Sequence, residues 1–407
     1  MKAVLRYFLF AFFAFLVPAF VLPANTCFRG GPYLQELVPD GVTVVFENTL
    51  PTFSWVELRR KGQTSVTRFY QDVEGQHQAY DYIQAPSAAL PVQNFAIRLS
   101  GLSSDTMYEY RVVSQKIDQM KPYSLTSSTQ YESDWFGFCT PGDKAATHRL
   151  LVLSDLHNRP STLAKFLTAL DCKTADHIIY AGDMMDNMQM KSASGSAFEA
   201  EEPYASFINV STQLFATQKD FCMLRGDHET KGDAADYFGT YFPHQSGKLY
   251  NAYRWGNLEI VLLDGGEALP DDDPTARSTS LAAYNPYRQE EARWLEQLIQ
   301  TAEYKEAAYR IVVSHLPIPN VSEDEQQAGA RYFADLMLPI LNRANVDLLV
   351  CGHLHPETYT FTEPSEDVRF PSLVQGYNSA LRIEIEGGKI TIKVVDEDGS
   401  VLLNKTL

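Results

Sequence analysis

Five short apolar runs in this 407-residue chain each end in a cluster of Asp, Glu and His residues, and this pattern limits the fold more than any other. The runs are rich in Leu, Ile and Val without polar alternation, which is typical of strands buried on both faces. Open α/β sheets place their ligand sites just beyond the carboxyl ends of such strands. We therefore expect the clusters to meet in space although they are distant in sequence. They lie at residues 155–157, 182–186, 226–229, 314–315 and 352–355.

The residue types and their spacing within the clusters predict a metal site. Residues i and i+2 of an extended segment point to the same side, so Asp155 with His157, and His353 with His355, each present two groups together. A lone His at a strand end is usually structural, but five of the nine histidines of the chain lie in these clusters. Carboxylate and imidazole groups are ligands that Mn, Fe and Zn all accept.

The chain divides into two regions with different periodicity. Between residues 30 and 140, apolar and polar residues alternate in short runs bounded by Gly, Pro, Asp and Ser, which predicts β-strands and no helices. Further along the chain, the buried-strand runs alternate with helical patterns. The helical patterns lie at 161–170, 203–217, 288–302 and 325–345. We therefore predict an all-β sandwich at 28–140 and an α/β domain at 147–407.

The first 24 residues have the layout of a secretory signal peptide. They contain Lys2 and Arg6, no acidic residue, and an apolar run from Tyr7 to Leu22. The alternative is an uncleaved N-terminal anchor, because the run approaches the ~18 apolar residues that span a bilayer. We expect an exported protein, whether periplasmic, extracellular or on the cell surface, without stable membrane insertion after cleavage.

The charge and the cysteines exclude two further classes of protein. The chain has 34 Lys and Arg residues against 51 Asp and Glu residues, a formal net charge of -17. Nucleic-acid binding through the general surface field needs a positive balance, since Lys and Arg displace the counterions of the phosphate backbone. Five cysteines are too few for a disulfide scaffold of this length. We expect no nucleic-acid partner, and the sequence does not determine the oligomeric state.

The polar clusters occur in the order Asp-x-His, Gly-Asp-x-x-Asp, Gly-Asp-His-Glu, His and Gly-His-x-His between residues 149 and 360. This order resembles that of the calcineurin-like metallophosphoesterases. With the β-rich region in front, the chain resembles the layout of purple acid phosphatases and their bacterial secreted relatives. Leu102, six residues ahead of Tyr108, resembles the tyrosine corner of a fibronectin type III domain. The resemblance implies a fibronectin III-like sandwich followed by a four-layer domain of two packed β-sheets flanked by helices.

The resemblance also implies two metal ions, divalent or of mixed valence, and two ligand groups that share one carboxylate. The first group would be Asp155, His157, Asp183 and His355. The second group would be Asp183, Asp227, His315 and His353. Two cations ~3.5–4 Å apart would clamp the phosphate of a small ester, acidify a bridging water and stabilise an in-line displacement.

Two further residues have catalytic roles by the same resemblance. His228 would act as the general acid that assists the leaving oxygen, and Asp186 would orient His228. Glu229 would support the loop. Purple acid phosphatases have Tyr where Asp186 stands and no His at the place of His157. We therefore expect no purple charge-transfer band, and Mn, Fe and Zn remain open as the native metals.

The departure with the largest consequence is Asp227, which stands where the family has Asn. An ionised carboxylate would lower the positive charge of the centre and weaken its attraction for a phosphate anion. Three outcomes follow: a more highly charged metal pair such as Fe(III) with a divalent ion, a less charged diester substrate, or a weakened site. The leading function is an exported phosphatase acting on small phosphate monoesters. The alternatives are a phosphodiesterase, and a catalytically impaired, metal-containing surface-binding protein.

Overall fold

The computed structural model describes residues 27–73, 75–77, 93–142, 146–189, 203–232, 234–273, 281–319, 321, 323–324 and 327–407. The predicted signal peptide at 1–24 lies outside these residues. The helices that are described include none that is long and apolar enough to cross a membrane. All five cysteines are free thiols.

The N-terminal region is β-rich, as its alternating sequence predicts. Its strands are β1 (Tyr33–Val38), β2 (Gly41–Asn48), β3 (Thr52–Arg60), β4 (Thr67–Phe69), β5 (Asp72–Val73), β6 (Gln76–His77), β7 (Gln93–Ser100), β8 (Met107–Lys121), β9 (Ser124–Glu132) and β10 (Phe136–Cys139). One sheet has the order β1-β2-β7, the other has the order β10-β8-β3-β4 with β9 against β8, and β5 pairs with β6. Alternate residues of the two larger sheets, among them Phe46, Val56 and Val112, pack in one core.

The described strands of the second region form two six-stranded sheets. Its strands are β11 (His148–Leu153), β12 (His177–Tyr180), β13 (Cys222–Met223), β14 (Asn251–Trp255), β15 (Leu258–Leu263), β16 (Tyr309–Ser314), β17 (Leu348–Cys351), β18 (Tyr359–Thr362), β19 (Ser372–Gln375), β20 (Ala380–Glu386), β21 (Lys389–Val395) and β22 (Val401–Thr406). The first sheet has the order β13-β12-β11-β20-β21-β22, and the second has the order β14-β15-β16-β17-β19-β18. The apolar runs that the sequence predicts as buried strands all lie in these two sheets.

The two sheets pack face to face, and helices cover their outer faces. The helices are α1 (Pro160–Ala169), α2 (Asn209–Ser211) between π-helical turns at Tyr204–Ile208 and Thr212–Ala216, α3 (Phe238–Tyr241), α4 (Tyr284–Leu298), α5 (Ala302–Glu306) and α6 (Ala328–Leu341). In β11, Val152 lies in the core between the sheets, whereas Leu151 lies in a core with α1. In β16, Val313 also lies in the core between the sheets. Val312 lies in another core, together with residues of α4 and α6. Both faces of these strands are therefore buried, which is why their sequences do not alternate.

Helix α4 begins earlier than its sequence pattern predicts. The pattern indicates a helix at 288–302, but the helix spans Tyr284–Leu298. The carboxylate of Asp271 accepts the backbone N–H groups of Tyr284 and Asn285, each at 3.0 Å, and so caps the first turn. This capping residue is distant along the chain, so local sequence did not reveal it.

The N-terminal β region contacts the α/β region through β1. The side-chain amide of Gln35 donates to the backbone oxygen of Phe221 (2.9 Å), and the backbone N–H of Leu37 donates to the carboxylate of Asp220 (2.9 Å). Both acceptors immediately precede β13. Strand β1 therefore supports the segment that leads into the third polar cluster.

Candidate metal centre

The five polar clusters follow directly after five parallel strands. Strands β11, β12 and β13 are neighbours in the first sheet, and β16 and β17 are neighbours in the second. Since the two sheets pack face to face, the carboxyl ends of all five strands adjoin. The structure thus brings together every residue that the sequence predicts as a metal ligand.

These side chains form two groups that share one carboxylate. The first group is Asp155, His157, Asp183 and His355, and the second is Asp183, Asp227, His315 and His353. Within each group, the candidate ligand atoms lie within 4.8 Å of one another. These are the two groups that the family resemblance implies, and Asp183 is the shared carboxylate in both descriptions.

In the first group, the ligand atoms converge on a point that suits a cation. Nε2 of His355 lies 2.9 Å from Oδ1 of Asp155 and 3.1 Å from Nε2 of His157. Oδ2 of Asp183 lies 3.7 Å from the same nitrogen of His157. Lone pairs from two imidazoles and two carboxylates that face one another at these distances match the nitrogen and oxygen ligands of Mn, Fe or Zn.

Asp186 holds His157 by its carboxylate, and this differs from its predicted role. Oδ1 of Asp186 lies 3.0 Å from Nδ1 of His157, so Nδ1–H donates to the carboxylate and Nε2 faces the group. Burial and the neighbouring imidazole of His228 lower the pKa of His157 to about 4, so its ring is neutral near pH 7. Asp186 orients His228 through its backbone oxygen, which accepts the Nδ1–H of His228 at 2.8 Å.

In the second group, His315 carries a buried nitrogen that fits a metal ion. Its Nδ1–H donates to the backbone oxygen of Ala181 (2.9 Å), which leaves the lone pair on Nε2. Nε2 has no hydrogen-bond partner among the described residues, yet lies 3.2 Å from Oδ2 of Asp183 and 3.4 Å from Oδ1 of Asp227. A buried nitrogen that faces two carboxylates and lacks a hydrogen bond is the arrangement expected of a metal ligand.

The electrostatics of this group also favour a bound cation. Burial raises the pKa of Asp183 well above its ordinary value, and the charge of Asp227 adds to this effect. Burial by itself would lower the pKa of His315, but the two carboxylates outweigh it and raise that pKa. The carboxylates thus stabilise a positive charge between them, and a metal ion would supply that charge in place of a proton.

His353 and Asp227 have partners that no sequence motif indicated. Nε2–H of His353 donates to the side-chain oxygen of Gln327 (2.9 Å), so Nδ1 faces Oδ1 of Asp227 (2.9 Å). Oδ2 of Asp227 lies 2.8 Å from Nζ of Lys231. The four-residue spacing of Asp227 and Lys231 was the available sequence signal for this ion pair, whereas Gln327 is near only in the folded chain. Although burial raises the pKa of Asp227, the imidazoles of His315 and His353 and the charge of Lys231 hold it well below its usual range.

Glu229 joins two of the loops that carry candidate ligands. Its Oε2 accepts the backbone N–H groups of Asp183 (2.9 Å) and Gly226 (2.8 Å). Its Oε1 accepts those of Met184 (2.9 Å) and Met185 (3.1 Å). A fully buried carboxylate with four N–H donors fixes both loops. This geometry agrees with the supporting role that the resemblance implies.

Five candidate ligands adopt the left-handed backbone conformation. The angle φ is 58° at Asp155, 42° at His157, 51° at Asp183, 69° at His353 and 46° at His355. The paired residues at 155–157 and 353–355 therefore lie in strained turns. The prediction from their spacing that each pair belongs to an extended segment is wrong. Such conformations cost of order 1–3 kcal/mol each and persist where the surroundings enforce them, which is common at functional sites.

The glycines before three of the ligands are required mainly by close approach. Of the three, Gly182 alone has a positive φ, 91°. At Gly226, an added Cβ would collide with the carboxylate of Asp183, and at Gly352 it would collide with that of Asp155. Side chains at these positions would therefore push apart the carboxylates that face the candidate metal positions.

His228 lies next to both groups without belonging to either. Its backbone N–H donates to Oδ1 of Asp183 (3.0 Å), and its Nε2 lies 4.0 Å from Oδ2 of the same residue. Its ring makes an edge contact with that of His157. Because Nδ1 is held by a backbone oxygen, Nε2 is the nitrogen turned toward the metal groups. On the other side of the first group, Tyr377 lies beside His157 and His355, another neighbour that sequence motifs did not indicate.

Comparisons with known proteins agree with this geometry. A family model for the calcineurin-like phosphoesterases matches residues 148–357. The curated proteins include no match to this chain. The fold is similar to that of purple acid phosphatase PPD1 from yellow lupin (Lupinus luteus) seeds, at 12% identity and a TM-score of 0.62, over 92% of this chain and 73% of that one.

Two smaller structures align with part of the chain. TT1561 of Thermus thermophilus aligns at 13% identity with a TM-score of 0.36, over 64% of this chain and 98% of that one. YfcE, a phosphoesterase from E. coli, aligns at 14% identity with a TM-score of 0.30, over 63% of this chain and 98% of that one.

The family match covers more than half of the 407 residues and contains every candidate metal ligand, from Asp155 to His355. The chain therefore belongs to the calcineurin-like phosphoesterase family and is a metal-dependent phosphoesterase.

Proposed function

We propose that this protein is an exported phosphatase that hydrolyses small phosphate monoesters with two metal ions. The observation that carries this proposal is the shared carboxylate of Asp183, which belongs to both ligand groups. A carboxylate shared by two adjacent groups would let them hold two cations close together, as two-metal phosphoesterases require. The donor sets of nitrogen and oxygen are compatible with Mn, Fe and Zn.

The residues of each group would hold one ion. Metal ions held by these residues would supply Lewis acidity toward the phosphate and would acidify a bound water molecule. The protein contributes the orientation of its ligands, since Asp186 holds His157 and the backbone oxygen of Ala181 holds His315. Glu229 maintains the spacing of two ligand loops.

His228 is proposed as the proton donor to the leaving oxygen. Its Nδ1–H is engaged by the backbone oxygen of Asp186, so the proton it would transfer is the one that Nε2 carries when the ring is an imidazolium. Nε2 is directed toward the groups from a partly exposed ring.

The preference for small substrates follows from charge. With a net charge of -17, the protein repels extended polyanions, whereas a small ester meets little repulsion as it approaches a locally cationic centre. Export is proposed from the signal-like sequence at 1–24. Sequencing the N-terminus of the protein recovered outside the cytoplasm would test this point, and retention of Met1 on cytoplasmic protein would contradict it.

We also propose that the region at 28–140 is a fibronectin type III-like sandwich. Two antiparallel sheets share one apolar core, as in that fold. The hydroxyl oxygen of Tyr108 accepts the backbone N–H of Ser103 at 3.0 Å, which is the contact of a tyrosine corner. The strand order and this contact support the proposal.

Hydrolysis assays with metal analysis test the proposed activity. Protein loaded with Mn²⁺ should bind two ions per chain and hydrolyse p-nitrophenyl phosphate faster than bis-p-nitrophenyl phosphate. The variant His228→Asn should lose activity while it keeps both ions, and His77→Asn should serve as a matched control because His77 is exposed and contacts Asp72. Faster hydrolysis of the diester would favour a phosphodiesterase. Two bound ions without turnover of either ester would favour the impaired binding protein.

A further inference from the structure

Asp227, the ligand that departs from the family pattern, has its two oxygens facing different partners. Oδ1 faces the second ligand group, 2.9 Å from Nδ1 of His353 and 3.4 Å from Nε2 of His315. Oδ2 faces away from that group and lies 2.8 Å from Nζ of Lys231. One carboxylate therefore connects the candidate metal position to an ammonium group.

The backbone, and not the ammonium group, holds Lys231 in place. The backbone oxygen of Lys231 accepts the N–H of Met188 (2.7 Å), and its backbone N–H donates to the oxygen of His228 (3.1 Å). The hydroxyl of Thr230 donates to the backbone oxygen of Asp227 (2.6 Å). These contacts fix the loop independently of Nζ, so the ammonium group is available to act on Asp227.

The other carboxylate beside Lys231 is farther away and has its own donors. Oε1 of Glu267 lies 4.0 Å from Nζ and accepts the backbone N–H of Ala268 at 2.9 Å. The same oxygen accepts the backbone N–H of Leu269 at 3.4 Å. Lys231 therefore pairs primarily with Asp227, and its side chain remains one-third exposed (34%).

We propose that Lys231 is a positioning residue of the metal centre, which holds the outer oxygen of Asp227 and offsets the negative charge that Asp227 adds. The inference rests on the proposed function, because it concerns the metal ion that the second group would hold. An Asn side chain offers one oxygen to a metal and carries N–H donors beside it. Asp227 and Lys231 together offer the same: one free oxygen, an N–H donor beside the other oxygen, and no net charge.

This arrangement removes the expected penalty of Asp227 toward phosphate. Without Lys231, the extra carboxylate would weaken the attraction between the centre and an anionic substrate. With Lys231 in place, the charge near the metal equals that of a family member with Asn. The pair therefore removes the main reason to expect a diester substrate or a weakened site.

A double-mutant cycle tests the proposal with binding measurements that do not depend on turnover. The variants are Lys231→Met, Asp227→Asn and the double variant, and the probes are Mn²⁺ and inorganic phosphate. Lys231→Gln removes the charge while it keeps an N–H donor, so it separates charge from hydrogen bonding. Lys248→Met is the matched control, since Lys248 forms an exposed ion pair with Glu290. Thermal unfolding of each metal-free variant checks that the fold is retained.

We expect the single changes to shift phosphate binding in opposite directions. Lys231→Met and Lys231→Gln should weaken the affinity of the Mn²⁺-loaded protein for phosphate by about 3- to 30-fold, the range expected for one charge nearby. Both should bind Mn²⁺ at least as tightly as the wild type, because they remove a cation. Asp227→Asn should bind phosphate more tightly and Mn²⁺ less tightly. The double variant should return phosphate affinity to near the wild-type value, and Lys248→Met should change neither affinity.

Different results overturn the inference and the proposed function. If Lys231→Met leaves phosphate affinity unchanged, or if the double variant binds phosphate as weakly as Lys231→Met, the inference is wrong while the function stands. If Lys231→Met lowers the unfolding temperature, and the addition of Asp227→Asn to this variant does not restore phosphate binding, Lys231 has only a structural role. If the wild type binds neither Mn²⁺ nor phosphate, the proposed function itself is wrong, and the inference is rejected with it.

Discussion

The two candidate ligand groups have the same numbers of carboxylates and imidazoles, but they lie in different surroundings. In the first group, the side chain of His355 is 39% exposed, and a carboxylate, Asp186, supports His157 from outside. In the second group, the side chain of His315 is 1% exposed, and the outer partners are neutral oxygens and the cation Lys231. The first position is therefore open and rich in negative charge, whereas the second is enclosed and partly neutralised. Equal ligand counts do not make the two metal positions equivalent.

The largest effect is expected from Asp183→Asn, because Asp183 belongs to both groups. The change should reduce bound metal at both positions and lower kcat/KM by more than about 100-fold, beyond the usual cost of losing an outer contact. Metal content per chain and hydrolysis of p-nitrophenyl phosphate measure this. Asp335→Asn, at an exposed position on α6, is the matched control. If Asp183→Asn still bound two ions, the two groups would not depend on Asp183 as their shared carboxylate.

The variants His315→Ala and His355→Ala separate the two groups. Each should lose about one metal equivalent. His315→Ala should also lower the free energy of unfolding of the metal-free protein by about 3–5 kcal/mol, because it removes the imidazole that two buried carboxylates face. His355→Ala should change that free energy much less, since its side chain is exposed. Urea unfolding in the presence of a chelator measures the difference, and equal losses would contradict the distinction between open and enclosed positions.

Glu229→Gln should affect both groups through their loops. An amide offers one accepting oxygen, so its NH₂ group would face two backbone N–H donors that the carboxylate now satisfies. We expect a loss of about 2 kcal/mol in the free energy of unfolding, the usual cost of buried groups without partners. Denaturant titration measures this loss, with Glu303→Gln at an exposed position as control. An unchanged midpoint would show that the loops do not depend on this carboxylate.

The smallest effect is expected from Asp186→Asn, which should act on the first group alone. The amide oxygen can still accept Nδ1–H of His157, but the negative charge that strengthens this ligand is lost. Affinity at the first position should fall by about tenfold, and affinity at the second should not change. Stepwise Mn²⁺ titration resolves the two affinities. A change at both positions would show that Asp186 also acts through His228.

The parts of the fold that could be predicted from the sequence are those set by local patterns. Period-two alternation indicated the β-rich N-terminal region, and unalternating runs indicated the buried strands of the two sheets. Helix α4 was predicted, but its start was missed because Asp271 caps it from a distant loop. The contact of β1 with the segment before β13 also left no local signal, since it joins residues far apart in the chain.

At the candidate site, the sequence by itself determined which residue types follow each buried strand, because strand burial and polar strand ends are local properties. The pattern thereby indicated a metal site, whereas the division into two ligand groups with a shared Asp183 was implied by the family resemblance. Only the tertiary structure decided how those residues are held: Asp186 on His157, Gln327 on His353, and Lys231 on Asp227. The first two contacts depend on which loops meet above the two sheets, and the third depends on the conformation of a single loop. The charge at Asp227 and the nearby Lys231 are therefore visible in the sequence, whereas the contact between the two side chains is established by the folded chain.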